Sequence, residues 1–210
     1  MSQPADRMPG AHVEVQTPLR FVTAASLFDG HDAAINIMRR LIQAQGVEVI
    51  HLGHNRSVLD IVLAAIQEDA DAIAISSYQG GHVEFFKYMV DLLKERGAGH
   101  IRIFGGGGGT ITPAEIRELE AYGIERIYHP DDGMDMGLVE MIEDVVKRAA
   151  EHRIATTAPA GFDPADPGSI ANVLSALEDD VFGEAELKLK RREWQGRPQQ
   201  SPVVGITGTG

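Results

Sequence analysis

The sequence predicts an α/β fold, a doubly wound sheet of five parallel strands with a flavodoxin-like order, and three observations predict it. Short, almost continuously apolar runs recur at 20–25, 47–52, 72–76, 100–105 and 125–128, as expected of strands covered on both faces. Between them lie stretches of helical period, such as Ala34, Ile35, Met38, Leu41 and Ile42. Cap and turn signals separate the two kinds of segment. Strands alternating with helices through right-handed crossovers give a parallel sheet wound on both faces.

Taken in order, residues 1–18 are polar and broken by Pro4, Pro9 and Pro18, which predicts a flexible lead-in. The α/β unit occupies 19–150. Its first strand runs into Phe28-Asp29-Gly30-His31-Asp32 and its first helix stops near Gly46. Ser57, followed by Asp60, caps the second helix. The third strand opens into Ser76-Ser77-Tyr78-Gln79-Gly80-Gly81-His82, and Gly97 ends the helix that follows. The fourth strand is continuous with Gly105, Gly106, Gly107, Gly108 and Gly109. Thr112-Pro113-Ala114-Glu115 then places a cap hydroxyl, a proline at the first helical position and a glutamate at the third. Beyond the stop at Gly123, the fifth strand leads to Tyr128-His129-Pro130-Asp131-Asp132-Gly133.

Residues 151–202 read as a linker with one helix at about 169–194. The stretch 156–168 carries Pro159, Pro164 and Pro167 and no periodicity. The helix puts Ile170, Val173, Leu174 and Leu177 on one face, with no evident partner in the chain, and ends in a basic run at 188–192. Residues 203–210 resemble a buried strand entering glycines, the opening of a further domain, so the chain is expected to be truncated there.

Composition narrows the chemistry. With 43% apolar residues among 210, the chain can bury a sizeable core. Its 31 acidic against 19 basic residues give a net charge of −12, which disfavours nucleic acid and anionic membrane as partners. No run approaches the roughly 20 apolar residues of a membrane span, and the start lacks the apolar segment of a secretory signal; a cytoplasmic protein is expected. The absence of cysteine removes disulfides, thiolate metal sites and a cysteine nucleophile.

In a doubly wound sheet, ligands sit beyond the carboxyl ends of the strands, so the loops named above are where chemistry is expected. Asp29 and His31 form the sharpest pair. A metal-ligating histidine commonly donates its other ring N–H to a carboxylate, although an ordinary Asx turn accounts for the same tripeptide. The glycine run permits close approach of a ligand to backbone. It matches neither the dinucleotide fingerprint nor the P-loop in the required context. Ser76 and Ser77 lack the nucleophile elbow, which leaves them as polar lining. His54, His82 and His129 fall at strand ends with His31; a zinc site built on them is the weaker reading beside solvent-facing or lining roles.

Together these loops resemble the cobalamin-binding module of adenosylcobalamin-dependent mutases and corrinoid proteins. That family carries D-x-H-x-x-G after the first strand, S-x-L after the third and G-G after the fourth. Here Asp29-Gly30-His31-Asp32-Ala33-Ala34 keeps the aspartate and histidine, with Ala34 in place of the last glycine. Ser76-Ser77-Tyr78 keeps the serine, with Tyr78 in the leucine position. The glycine pair falls within 105–109, in a register that the run itself leaves open. Within the family, DGHDAA, SSYQGGH and FGGGGG are more similar to the fused isobutyryl-CoA mutase branch than to methylmalonyl-CoA mutase, and PVVGITGTG resembles the start of that branch's GTPase chaperone domain.

The resemblance implies adenosylcobalamin bound with its own base displaced, His31 as lower axial ligand of cobalt and Asp29 orienting it. It implies a cofactor site that takes in Gly30, Asp32, Ser76, Ser77, Tyr78, Gly80, Gly105 to Gly109, Tyr128, His129 and Pro130. The activity implied is the radical interconversion of isobutyryl-CoA and butyryl-CoA. The acyl-CoA site would belong to an absent mutase barrel, and GTP with Mg to the absent GTPase domain of the same polypeptide. The intact protein would be a homodimer, and this piece alone would bind cofactor without turnover. A corrinoid carrier for methyl transfer would usually have a helical bundle before the D-x-H loop. A receiver-type signalling domain would want a lysine after the fifth strand, where this chain has His129-Pro130.

Overall fold

The computed structural model describes residues 17–196. The five apolar runs form parallel strands β1 (Arg20–Ser26), β2 (Glu48–Arg56), β3 (Ala72–Ser76), β4 (Arg102–Gly106) and β5 (Arg126–Tyr128), side by side in the order β2-β1-β3-β4-β5. That is the flavodoxin-like order the sequence predicts. The helices are α1 (Asp32–Ala44), α2 (Val58–Gln67), α3 (His82–Glu95), α4 (Pro113–Tyr122), α5 (Pro130–Met136), α6 (Leu138–Glu151), α7 (Pro167–Glu178) and α8 (Glu184–Gln195).

Side chains alternate across the sheet and divide the core in two. Val22, Ala24, Ile73, Ile75, Ile103 and Ile127 point into one layer, where Ile61, Val62, Phe86, Met89 and Leu119 of α2, α3 and α4 cover them. Phe21, Ala72, Ala74, Phe104 and Tyr128 point the other way, toward Ile42 of α1 and Met141, Ile142 and Val145 of α6. Burial on both faces explains why the strands are apolar without alternation.

The cap signals take their expected places. Ser57 accepts from the backbone N–H of Asp60, and Thr112 with Glu115 forms a reciprocal capping box with Pro113 at the helix start. Gly46 and Gly97 follow helix ends with φ of 83° and 72°, a left-handed conformation that glycine adopts without a Cβ penalty. β2 runs four residues past the predicted 52, to Arg56; as an edge strand it tolerates the polar His54, Asn55 and Arg56 that ended the apolar run.

The tail differs from expectation. In place of one helix over 169–194, α7 and α8 are separated at 179–183. Asp180 takes a left-handed φ of 51° there, and Gly183 caps the second helix. The tail is also not without a partner, since α7 packs on α2. Val173, Ala171 and Ala176 are buried, whereas Ile170 and Leu174 of the predicted face are exposed. The expected lead-in over 1–16 and the strand-and-glycine segment at 203–210 lie outside the described residues.

Candidate functional site

At the carboxyl edge the last row of the sheet sets Ala25, Ser76, Gly106 and Tyr128 in register across β1, β3, β4 and β5. The row before it on that face is Thr23, Ala74, Phe104 and Arg126. Small residues at Ala74, Ser76 and Gly106 leave α1 and α6 standing off the sheet, and a cleft of about 350 Å³ opens between them. Ile35, Met38 and Ile42 form its α1 wall, and Leu138, Met141, Ile142 and Val145 its α6 wall. Gly105, Gly107, Gly108, Tyr78, His129, Pro130 and Gly133 complete the lining.

The mouth is organised by one buried carboxylate. Asp29 Oδ1 accepts from the backbone N–H of His31 and from His31 Nδ1, each at 2.8 Å, and Oδ2 accepts from the backbone N–H of Tyr78 at 2.6 Å. Burial acts to raise this carboxyl. The donors from Tyr78 and His31 outweigh it and hold the group below the ordinary carboxylate value. The stabilisation these bonds lend the loop is full above the unfolded carboxyl value and is lost as pH falls through the depressed folded one. With Nδ1 on Asp29, the His31 side chain is 72% exposed, and Nε2 makes no hydrogen bond among the described residues. The Tyr78 ring lies beside it, centroids 5.4 Å apart and planes inclined at 37°.

Inside the cleft, Ser76 Oγ is buried and meets no hydrogen-bond partner among the described residues, an unpaired polar group of the kind that marks a ligand contact. Tyr128 donates to Asp144 of α6 at 2.8 Å, and Asp144 pairs with Arg148. Burial, then the bond to Asp144, push the phenol far above its ordinary value, so it remains a neutral donor that ties β5 to α6. His129 caps α5, its Nδ1 accepting from the backbone N–H of Asp131.

The glycines are not equivalent. A Cβ on Gly105 would fall 2.5 Å from Phe86 Cζ, in the opposite core layer, and one on Gly107 would fall 1.9 Å from the carbonyl oxygen of Ser77. Gly108 has φ +57° and lies under the Tyr78 ring, 2.7 Å from a Cβ to Cε1. Of the four glycines of the run that line the cleft, only at Gly106 would a Cβ meet nothing nearer than 3.5 Å.

Several expected site residues lie elsewhere. Ser77 is fully buried behind the cleft, with Ser26 Oγ donating to its hydroxyl at 2.9 Å. Gly30, Asp32, Gly80 and Gly109 are exposed and outside the cleft lining, and Asp29 and His31 stand next to it, joined to it through Tyr78. His82 is buried at the start of α3, its Nε2 3.3 Å from Glu115 Oε2 without hydrogen-bond alignment. No group of three or more histidines and carboxylates among the described residues is placed to hold a metal. The α1 and α6 walls were missed from the sequence; the signal was there, because both helices carry an apolar stripe ending beside a loop of the site.

Comparison with known proteins bears on the ligand. The model of the B12 binding domain matches residues 19–139. The fused isobutyryl-CoA mutase of Cupriavidus metallidurans is 57% identical over 196 residues, 91% of this chain and 18% of that protein. The protein of the same name from Geobacillus kaustophilus is 53% identical over 199 residues, again 18% of its length. The chain thus spans under a fifth of these two relatives. The small subunit of 2-hydroxyisobutanoyl-CoA mutase of Aquincola tertiaricarbonis is 37% identical over 108 residues, which cover 77% of it. Among solved structures, a cobalamin-binding protein of Desulfitobacterium hafniense superposes with a TM-score of 0.52 at 20% identity, over 63% of this chain and 59% of that one; that likeness speaks to the fold alone. Among the described residues, no helix is long and apolar enough to cross a membrane.

Proposed function

As a member of the B12-binding domain family, this chain is a cobalamin-binding domain homologous to part of fused isobutyryl-CoA mutase, and we propose that it holds adenosylcobalamin with the cofactor's own base displaced and His31 in the lower axial position on cobalt. The observation that carries this reading is the Asp29–His31 pair, 2.8 Å from Oδ1 to Nδ1, with the His31 side chain exposed beside Tyr78 of the cleft lining.

The residues present fit the group. An imidazole nitrogen is a suitable donor for cobalt, and a buried carboxylate on the opposite ring nitrogen fixes the tautomer and raises basicity. The unpaired Ser76 hydroxyl and the open face of Gly106 supply a polar contact and room for the displaced nucleotide tail. Tyr128 fixes the α6 wall to the sheet through Asp144. The apolar α1 and α6 walls would exclude water from an apolar ring system held between them.

When bound, adenosylcobalamin supplies a cobalt–carbon bond that breaks homolytically to start radical chemistry. The protein's share is to hold the cofactor, set the axial nitrogen and keep Asp29 ionised. Carbon-skeleton rearrangement of an acyl-CoA, isobutyryl-CoA to butyryl-CoA, follows from the resemblance to the fused mutases. The acyl-CoA barrel, the GTPase domain with GTP and Mg, a homodimeric assembly and a cytoplasmic location go with that reading.

The test is direct. The purified 210-residue chain is titrated with adenosylcobalamin, the bound cofactor is reduced to the Co(II) form, and its electron paramagnetic resonance is recorded with and without nitrogen-15 histidine. Wild type is expected to show nitrogen splitting that changes from triplet to doublet with the label. His31→Ala is expected to abolish that response, and Asp29→Ala, which removes the partner that orients the ring, to lower affinity by about 10–100-fold. Splitting indifferent to the label refutes axial ligation by His31.

A further inference from the structure

Tyr78 stands where the family motif has leucine, and it touches every part of the mouth. Its backbone N–H donates to Asp29 at 2.6 Å, its ring lies 5.4 Å from the His31 ring, and it covers the backbone of Gly108. Thr110 Oγ1 donates to its carbonyl at 3.4 Å. The loops after β1, β3 and β4 therefore meet on one residue. Asp29 fixes which nitrogen of His31 carries the proton, but it holds the ring by one bond, Nδ1 to Oδ1, the other bond to that oxygen coming from the His31 backbone; whenever that bond opens, the exposed ring can turn about Cβ–Cγ. The face that opposes such swinging is the phenol ring.

We propose that Tyr78 is a positioning residue for His31: its ring, and not its hydroxyl, holds the imidazole in the orientation where Nδ1 stays on Asp29 and Nε2 faces the ligand. This deepens the cobalamin reading and rests on it for the purpose of the device. The physical claim concerns the ligand-free protein. Two observations besides the ring contact support it. Gly108 adopts φ +57° directly beneath Tyr78, so the glycine run is shaped to seat that ring. No hydrogen bond is made by the Tyr78 hydroxyl among the described residues, so within the side chain only the ring is engaged. Tilted aromatic pairs at this separation attract beyond their buried area, whereas a leucine would fill less of the gap and impose no plane.

The experiment compares wild type, Tyr78→Phe and Tyr78→Leu as the full chain labelled with nitrogen-15 histidine. In mildly alkaline buffer without cofactor, long-range proton–nitrogen spectra give the His31 tautomer ratio. The expectation is a dominant Nδ1–H form in wild type and Tyr78→Phe. In Tyr78→Leu the ratio falls roughly 3- to 10-fold, the range an aromatic contact of this kind supports. Affinity for adenosylcobalamin falls by a similar factor in Tyr78→Leu and is restored in Tyr78→Phe. Far-ultraviolet circular dichroism confirms that each variant is folded; the Phe variant keeps the question answerable if Leu fails to fold, because loss of the Nδ1–H form in Phe alone overturns the proposal. A wild-type ratio in Tyr78→Leu also overturns it. If wild type binds no cobalamin, the functional reading fails, and the tautomer ratio of the cofactor-free chain still decides the role of Tyr78.

Discussion

At the scale of residues, the glycine run shows how identical letters hold different jobs. Gly105 and Gly107 are required by the protein's own packing, against Phe86 and the Ser77 carbonyl, and Gly106 alone has its missing side chain turned to the cleft with room beside it. Gly107→Ala is expected to destabilise the fold by about 3 kcal/mol, the upper part of the usual overpacking range. Gly106→Val is expected to leave the thermal midpoint nearly unchanged and weaken cobalamin binding by about tenfold or more, since branched carbons would enter the space of the ligand. Denaturant melts paired with cofactor titrations separate the two outcomes; equal loss of stability in both variants would contradict the assignment. The sequence could not reveal this difference, because five consecutive glycines carry no register. Asp29 and His31 were legible for the opposite reason: their partnership spans two residues and needs no tertiary information.

At the scale of elements, α2 and α7 carry a comparable lesson. The strands, the capping box at Thr112 and the stop glycines were readable because each is a local pattern with a local cause. The docking of α7 was not, since its partner lies a hundred residues earlier and its buried side consists of small residues. Of the expected face, Ile170, Val173, Leu174 and Leu177, Val173 is buried, yet Leu174 is 54% exposed, and Ala171 and Ala176 make up the rest of the covered side. The available signal was α2 itself, VLDIVLAAIQ, apolar on more than the face turned to the sheet, which indicates a second neighbour. Gly168 allows the approach, as a Cβ there would already lie 3.3 Å from Ile66. Val173→Ala is therefore expected to cost about 2 kcal/mol. Leu174→Ala should stay within about 0.5 kcal/mol. Urea unfolding of the two variants checks this; a larger loss at Leu174 would mean that α7 docks by its other face.

At the scale of the whole molecule, the proposed fused-mutase reading assigns cofactor binding to this chain and the acyl-CoA substrate to other parts of such a mutase, of which this chain matches 18%. The chain is expected to bind adenosylcobalamin and to give no interconversion of isobutyryl-CoA and butyryl-CoA, checked by chromatography of the thioesters after incubation; product formed by this chain alone would refute the division of labour. The division has a mechanical side. Thr17, just before β1, bonds Asp179 at the end of α7, and Arg153, just after α6, bonds both Thr17 and Asp71. Arg20 reaches Glu178 from the same corner. The chain thus enters and leaves the α/β unit at one anchorage, on the edge opposite His31. A pull on the tail would therefore meet this corner, at the amino edge of the sheet, before it reached the loops at the carboxyl edge.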